Sequence, residues 1–206
     1  MTCYALEALL KREEQRFDCV PAGPIRSQGR FVANIYHETT SPLTHDELTE
    51  LEAHIGLQKQ LFEMLSIYGS IRLYCDALSE SSAYYLAHPT EWERLGKEFN
   101  IWVNDLTECE RDSLLPSWLD DAVVIGEVPA SGNFFFYLLG GESQGQVFGF
   151  DHDGFEFVLE GVDLFGFLTK ISTVTEALLA DIQSHTRYSD GVTDIQWLPI
   201  DYHYLR

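Results

Sequence analysis

The clearest pattern of apolar runs and polar breaks lies in the second half of the chain. Residues 122–128, 133–139, 146–150 and 155–159 are apolar runs, separated by Pro129-Ala130-Ser131-Gly132, Gly140-Gly141-Glu142-Ser143-Gln144-Gly145 and Asp151-His152-Asp153-Gly154. Each separator is rich in residues that bend the backbone, so the stretch predicts four strands in an antiparallel meander. Immediately afterwards Asp163 is placed to cap a helix, and Leu164, Phe167, Leu168, Ile171, Leu178, Leu179 and Ile182 keep helical spacing. One long helix ending near His185 is predicted, then a turn at Asp190-Gly191 and a final strand over residues 195–204.

The first half is patterned more loosely. Leu6, Leu9, Leu10 and Phe17 suggest a helix within residues 1–18 that stops before Pro21-Ala22-Gly23-Pro24, and residues 30–37 suggest a short strand. Thr44-His45-Asp46-Glu47 is a capping box that opens a run with Leu48, Leu51, Ile55, Phe62, Leu65 and Tyr68. Gly56 is expected to divide that run, and Gly69 to cap its end. Residues 71–75 read as a strand and 79–85 as irregular. A helix is expected over 91–100 with Trp92, Leu95 and Phe99 on one face, and a shorter one over 106–113.

Strand-strand-strand-strand-helix, with a Ser131-Gly132-Asn133 turn, the strand end Gly145 to Asp153 and the helix start Val162 to Leu168, resembles the SUKH superfamily of intracellular immunity proteins and fungal cell-wall-synthesis regulators. The resemblance covers residues 43–171. Leu51-Glu52 and Ile55-Gly56 fit its opening helix, while Leu57-Gln58 stands where a Leu-Pro pair is usual and Tyr68-Gly69 where Asn-Gly is usual. It implies an α+β fold, a curved antiparallel meander sheet flanked by helices, with a face that binds another protein and no catalysis. A single domain over 1–206 is expected: an N-terminal extension (1–40), the SUKH-like core (43–171), and a C-terminal helix and strand (172–206).

Composition sharpens this picture. With 206 residues, 45% hydrophobic and 13% aromatic, the chain is large enough to bury roughly 70% of its unfolded surface without a disulfide or metal. Thirty-three acidic against thirteen basic residues give a formal charge of −20. Such a surface repels nucleic-acid phosphates and anionic membranes and attracts basic proteins. The first twenty residues carry Glu7, Glu13 and Glu14 and lack a secretory h-region, and no stretch is as long and apolar as a membrane helix, so a cytoplasmic protein is expected.

Cys3, Cys19, Cys75 and Cys109 have no Cys-x-x-Cys or Cys-His spacing, so buried free thiols are expected and no zinc site. Asp151-His152-Asp153 is the sharpest candidate for catalytic or metal-binding chemistry, and an alternative reading is a metal-dependent hydrolase centred there. Its place between two strands favours turn chemistry, so no catalytic residue, metal or cofactor is assigned. The 140–145 loop lacks the Lys-Ser/Thr ending of a phosphate loop, and His37, His45, His54, His88, His185 and His203 show no ligand spacing. Phe134-Phe135-Phe136-Tyr137 leaves both faces of a strand apolar, so either helices cover both sides or one side awaits a partner.

Function then follows from charge and resemblance together. The expectation is a binding protein that neutralises a cognate bacterial toxin, a nuclease for example, by occluding its active site. Asp120, Asp121, Glu142, Asp151, Asp153 and Glu156 are the carboxylates expected to meet the partner's basic surface. The alternative is a regulator or scaffold of the same fold with an endogenous partner.

Overall fold

In the computed structural model, which describes residues 3–23 and 29–205, the chain opens with a short helix and then turns to strand periodicity. Helix α1 (Tyr4–Leu10) buries Leu6 and Leu9. Strand β1 (Glu13–Pro21) follows it, with Gln15, Phe17, Cys19 and Pro21 alternately buried. The helix expected over 1–18 is therefore half helix and half strand, because Phe17 shares its face with residues two positions away. Met1 and Thr2 of that pattern, and Pro24 of the expected turn, lie outside the described residues. Strand β2 (Phe31–Thr39) corresponds to the expected strand.

The capping box forms as the sequence predicts. Thr44 Oγ1 accepts the Glu47 N–H at 3.3 Å and the Glu47 carboxylate accepts the Thr44 N–H at 2.8 Å, opening α2 (His45–Ile55). Gly56, at φ 67°, ends it in the left-handed region, and α3 (Lys59–Leu65) follows. Gly69 is not the cap of α3. It sits where a Cβ would come within 2.3 Å of the Ser41 carbonyl oxygen, so it is small for a close backbone approach. Next come β3 (Ile71–Asp76), β4 (Tyr84–Leu86), which overlaps the end of the stretch expected to be irregular, α4 (Pro89–Asn104) and α5 (Glu108–Leu114).

A 3-10 turn (Leu119–Asp121) leads into the meander: β5 (Ala122–Val128), β6 (Asn133–Leu138), β7 (Val147–Asp151) and β8 (Glu156–Gly161). The long helix expected beyond it is two helices, α6 (Leu164–Ser172) and α7 (Glu176–His185), each with its own cap. Asp163 accepts the Gly166 N–H at 2.7 Å, and Thr175 accepts the Leu178 N–H at 3.2 Å. Strands β9 (Tyr188–Ser189) and β10 (Gln196–Leu205) close the chain.

All described strands join one antiparallel sheet in the order β8-β7-β6-β5-β4-β3-β2-β1-β10-β9. The sheet is open, and register shifts in the β1–β10, β2–β3, β5–β6 and β7–β8 pairs bend it. The fold is α+β, a curved antiparallel sheet flanked by helices. Strands β1, β2, β9 and β10 continue the same sheet as the meander, so strands on both sides of residues 43–171 belong to one hydrogen-bonded layer.

Helices cover both faces of β6. On one side Phe99 of α4 meets Phe136 at 4.8 Å and Phe150 at 5.1 Å between ring centroids, and Trp118 meets Phe148 at 4.5 Å. On the other, Phe167 of α6 lies 5.0 Å from Phe135. All four residues Phe134 to Tyr137 are buried. No open aromatic face awaits a partner on this strand. A second ring cluster, Phe17, Tyr74, Tyr188 and Tyr202, joins β1, β3, β9 and β10, and the Tyr74 hydroxyl donates to the Ile171 carbonyl at 3.0 Å. Among the described residues no helix is long and apolar enough to cross a membrane.

Candidate functional site

The meander places its six candidate carboxylates at opposite ends. Asp120 and Asp121 stand in the 3-10 turn before β5, and the 139–146 loop folds back onto them. The Leu139 N–H donates to the Asp121 carbonyl at 2.8 Å, and a Cβ on Gly141 would meet the Asp121 carboxylate at 3.6 Å. Glu142 is exposed in that loop. Asp151, Asp153 and Glu156 are exposed at the β7–β8 turn, with Asp151 and Glu156 paired across the strands. Strands of five to seven residues separate the two groups by roughly 15–20 Å. One compact partner surface of all six does not exist.

At the β7–β8 turn, the His152 N–H and Nδ1 both lie on Asn133 Oδ1, at 3.0 and 2.8 Å. The backbone donor fixes that atom as oxygen, so Nδ1 carries a proton. Nε2 lies 3.1 Å from Asp153 Oδ1, and the ring packs on Trp102 at 5.0 Å. Ligand atoms of Asp151, His152 and Asp153 lie within 4.8 Å of one another. A second such triad joins Asp18, Asp201 and His203 across the β1–β10 pair. Both are the residue types that hold a divalent cation, and each offers three ligands at a largely solvated surface. His203 therefore has acidic neighbours that its position in the sequence did not reveal.

A groove lies between α2 and α4. Two adjoining cavities of about 590 and 650 Å³ share Leu51, His54, Pro89 and Thr90. The buried side chains Trp92, Phe99, Val103 and Phe136 form the floor, with half-buried Leu51, Ile55, Leu119 and Val123 around them. Helix spacing places them there: Trp92, Phe99 and Val103 repeat along one face of α4, and Leu51 and Ile55 along one face of α2. Gly96 leaves the groove wide, because a Cβ there would meet nothing within 4 Å. Glu47, Glu50, Glu93 and Asp120 line it and are exposed.

No protein-family model, curated protein or solved structure matches the chain.

Charge at the groove is held in place by local bonds. Hydrogen bonds from Thr44 lower the Glu47 pKa, so this carboxylate stays ionised well below neutral pH. Glu93 is also lowered, first by its hydrogen bond with Lys97, one turn along α4 at 2.6 Å. The sequence pointed to Asp120 alone among the groove's acids. Glu47, Glu50 and Glu93 were hidden by their ordinary places on helix surfaces, and the available signal was a glycine in the middle of the otherwise strong α4 pattern. Chemically the groove offers apolar area and carboxylates, the complement of an apolar segment flanked by Lys or Arg.

Proposed function

We propose that this chain is a non-catalytic binding protein that captures a basic protein partner in the α2–α4 groove, and that it serves as an immunity protein neutralising a cognate toxin. One observation carries the reading: an apolar-floored groove lined with Glu47, Glu50, Glu93 and Asp120 on a chain of formal charge −20. Desolvated apolar contact supplies affinity, while the surrounding carboxylates steer a basic partner and select against acidic ones. If the partner is a nuclease, carboxylates standing where substrate phosphates would sit block its active site. The succession of β5, β6, β7, β8 and α6 is the element order on which the SUKH resemblance rests, and that resemblance supports the same reading.

Within it, Asp120 belongs to the groove and Asp121 and Glu142 flank its end. Asp151, Asp153 and Glu156 lie at the opposite end of the meander and take no part in this contact. The test is capture of partners from the source organism's lysate with the wild-type chain, Glu50→Lys and Gly96→Trp as baits, at low and high salt. A basic toxin domain held by the wild type, released by both variants and inhibited when bound supports the proposal. Retention by both variants overturns the groove, and an endogenous metabolic or structural partner moves the function to a regulator or scaffold.

A further inference from the structure

An open sheet has two edges, and an edge strand presents a row of backbone N–H and C=O groups that no neighbouring strand satisfies. The two edges of this sheet are finished differently. At one, β9 is two residues long, and β10 beside it carries Pro199 at a register shift opposite β1. The Gln183 side chain of α7 donates to the Pro199 carbonyl at 2.5 Å, which caps part of that edge. At the other edge, among the described residues, β8 pairs with β7 alone and contains no proline, lysine or arginine. Val158 and Leu159 within it are 49% and 46% exposed, and Val162 just beyond is 72% exposed.

Side chains along β8 alternate between its two faces. Phe157 packs on Phe150 and Trp118, with ring centroids 5.1 and 5.5 Å apart, and Leu159 shares that face. Glu156, Val158 and Glu160 share the other, where Glu160 pairs with Lys170 of α6. Glu156 stands directly opposite Asp151 on β7, and both are exposed. Among the described residues neither of these two meets a lysine or arginine. Like charges directly opposed across a strand pair are destabilising, and Asp153 in the adjoining turn adds a third carboxylate. This corner of the sheet combines a free backbone edge, exposed apolar side chains and negative charge with no cation to balance it.

We propose that the β8 edge receives an extended segment of a basic protein partner by strand addition, with a Lys or Arg of that segment opposite Glu156 and apolar residues opposite Val158 and Leu159. Backbone hydrogen bonds to the free edge supply affinity, and the alternating side chains supply selectivity. Charge decides the occupant. A second copy of the chain would bring another formal −20 to this edge, and in an antiparallel register centred on Val158 it would set two more glutamates against Glu156 and Glu160. A basic segment instead relieves the repulsion between Asp151 and Glu156. The edge shares no residue with the α2–α4 groove, so the two contacts are tested separately.

Titration calorimetry on the full chain, at about 0.15 M salt, tests this with the peptide acetyl-Thr-Ile-Val-Tyr-Lys-Thr-Lys-amide. Saturable binding of one peptide per chain is expected. Glu156→Lys turns an opposed pair of like charges into an attractive one, so it is expected to melt at or above the wild-type temperature while weakening the peptide about tenfold. Val158→Lys protects the edge and is expected to weaken it by a similar factor, about tenfold, whereas Glu50→Lys in the groove leaves it unchanged. Of two peptides N-methylated at alternate residues, only the one whose methyl groups point away from β8 is expected to bind, and alternate amides of residues 157–161 should exchange more slowly in the complex. No saturable binding, or equal binding of both methylated peptides, overturns the proposal. Binding lost in Glu50→Lys but kept in Glu156→Lys overturns it by placing the peptide in the groove, and self-association of the free chain that Val158→Lys abolishes overturns it by making a second copy the occupant.

Discussion

His37 Nδ1 accepts the backbone N–H of Tyr74 at 3.0 Å, and that single bond fixes the protonation of the ring. Nε2 must then donate to Gln15 Oε1, which lies 2.7 Å away and also receives the Tyr202 hydroxyl. Tyr74 adopts φ 57° at the register shift between β2 and β3, a conformation unfavourable for a bulky side chain and sustained by its surroundings. A second proton on His37 would leave the Tyr74 N–H without an acceptor.

The pH dependence of stability follows from that geometry. Burial, with Arg12 adding repulsion, lowers the His37 pKa from 6.5 to about 3. The unfolded chain therefore binds the proton more readily between these values, so this contribution is complete above pH 6.5 and lost as pH falls toward 3. At about 1.4 kcal/mol per unit, the loss by pH 5 is at most about 2 kcal/mol, reduced because the ring is half-buried. Urea unfolding at pH 8, 6.5 and 5 should reveal a steeper decline for the wild type than for His37→Asn, which keeps an acceptor near Tyr74 but does not titrate. Parallel curves would refute it.

Thiol reactivity separates the four cysteines. Burial raises the Cys19 thiol to about 12 and Cys75 to about 11, and Cys3 is buried against the Thr169 hydroxyl at 3.5 Å. Cys109 is exposed in the first turn of α5, contrary to the expectation of buried thiols throughout. Because the thiolate is the reactive form, a colorimetric thiol reagent at pH 8 should modify one cysteine quickly and the other three only on unfolding. Cys109→Ser should abolish the fast phase. Two fast thiols in the native protein would contradict the packing of β1 or β3.

How legible the fold was depended on whether its boundaries are written locally. The meander was readable because Gly, Pro, Asp and Asn mark each strand end, and Thr44 and Glu47 announce α2 in four residues. The break between α6 and α7 was concealed because Leu168, Ile171, Leu178 and Ile182 keep helical phase across residues 173–175. Strand β1 was obscured by the apolar spacing that links Leu10 to Phe17. Sites built from distant residues left no local signature at all: Asp18 meets His203 only through the β1–β10 pairing, and Leu51 faces α4 across a gap that no periodicity encodes.

Self-repulsion is a second lever on stability. The formal charge of −20 acts against compaction, and salt screens it, with a Debye length of about 10 Å at 0.1 M. Raising sodium chloride from about 20 to 200 mM should increase the melting temperature by a few degrees, equivalent to about 1 kcal/mol for a domain of this size. Calorimetric scans at several salt concentrations measure it. A fall in melting temperature over that range would mean that ion pairs such as Arg94 with Glu98, at 2.7 Å, outweigh the net repulsion.

Two glycines in helix and strand should respond in opposite directions, and the contrast tests the groove. Gly96 lies inside α4 with open space where a Cβ would stand, so Gly96→Ala removes only the entropic cost of glycine and should stabilise by about 0.5–1 kcal/mol. Gly126 lies beside β4, where a Cβ would fall 2.2 Å from the Tyr85 carbonyl oxygen, backbone that cannot yield without parting the strands. Gly126→Ala should therefore cost about 3 kcal/mol or more. Gly96→Trp adds the decisive comparison: its indole enters the groove between Trp92 and Leu51, so the chain should fold with near wild-type stability while the volume open to a partner is filled. Chemical denaturation of the four proteins measures all of this without a ligand. If Gly96→Trp unfolds the chain as Gly126→Ala does, the space between α2 and α4 is not the open groove on which partner capture depends.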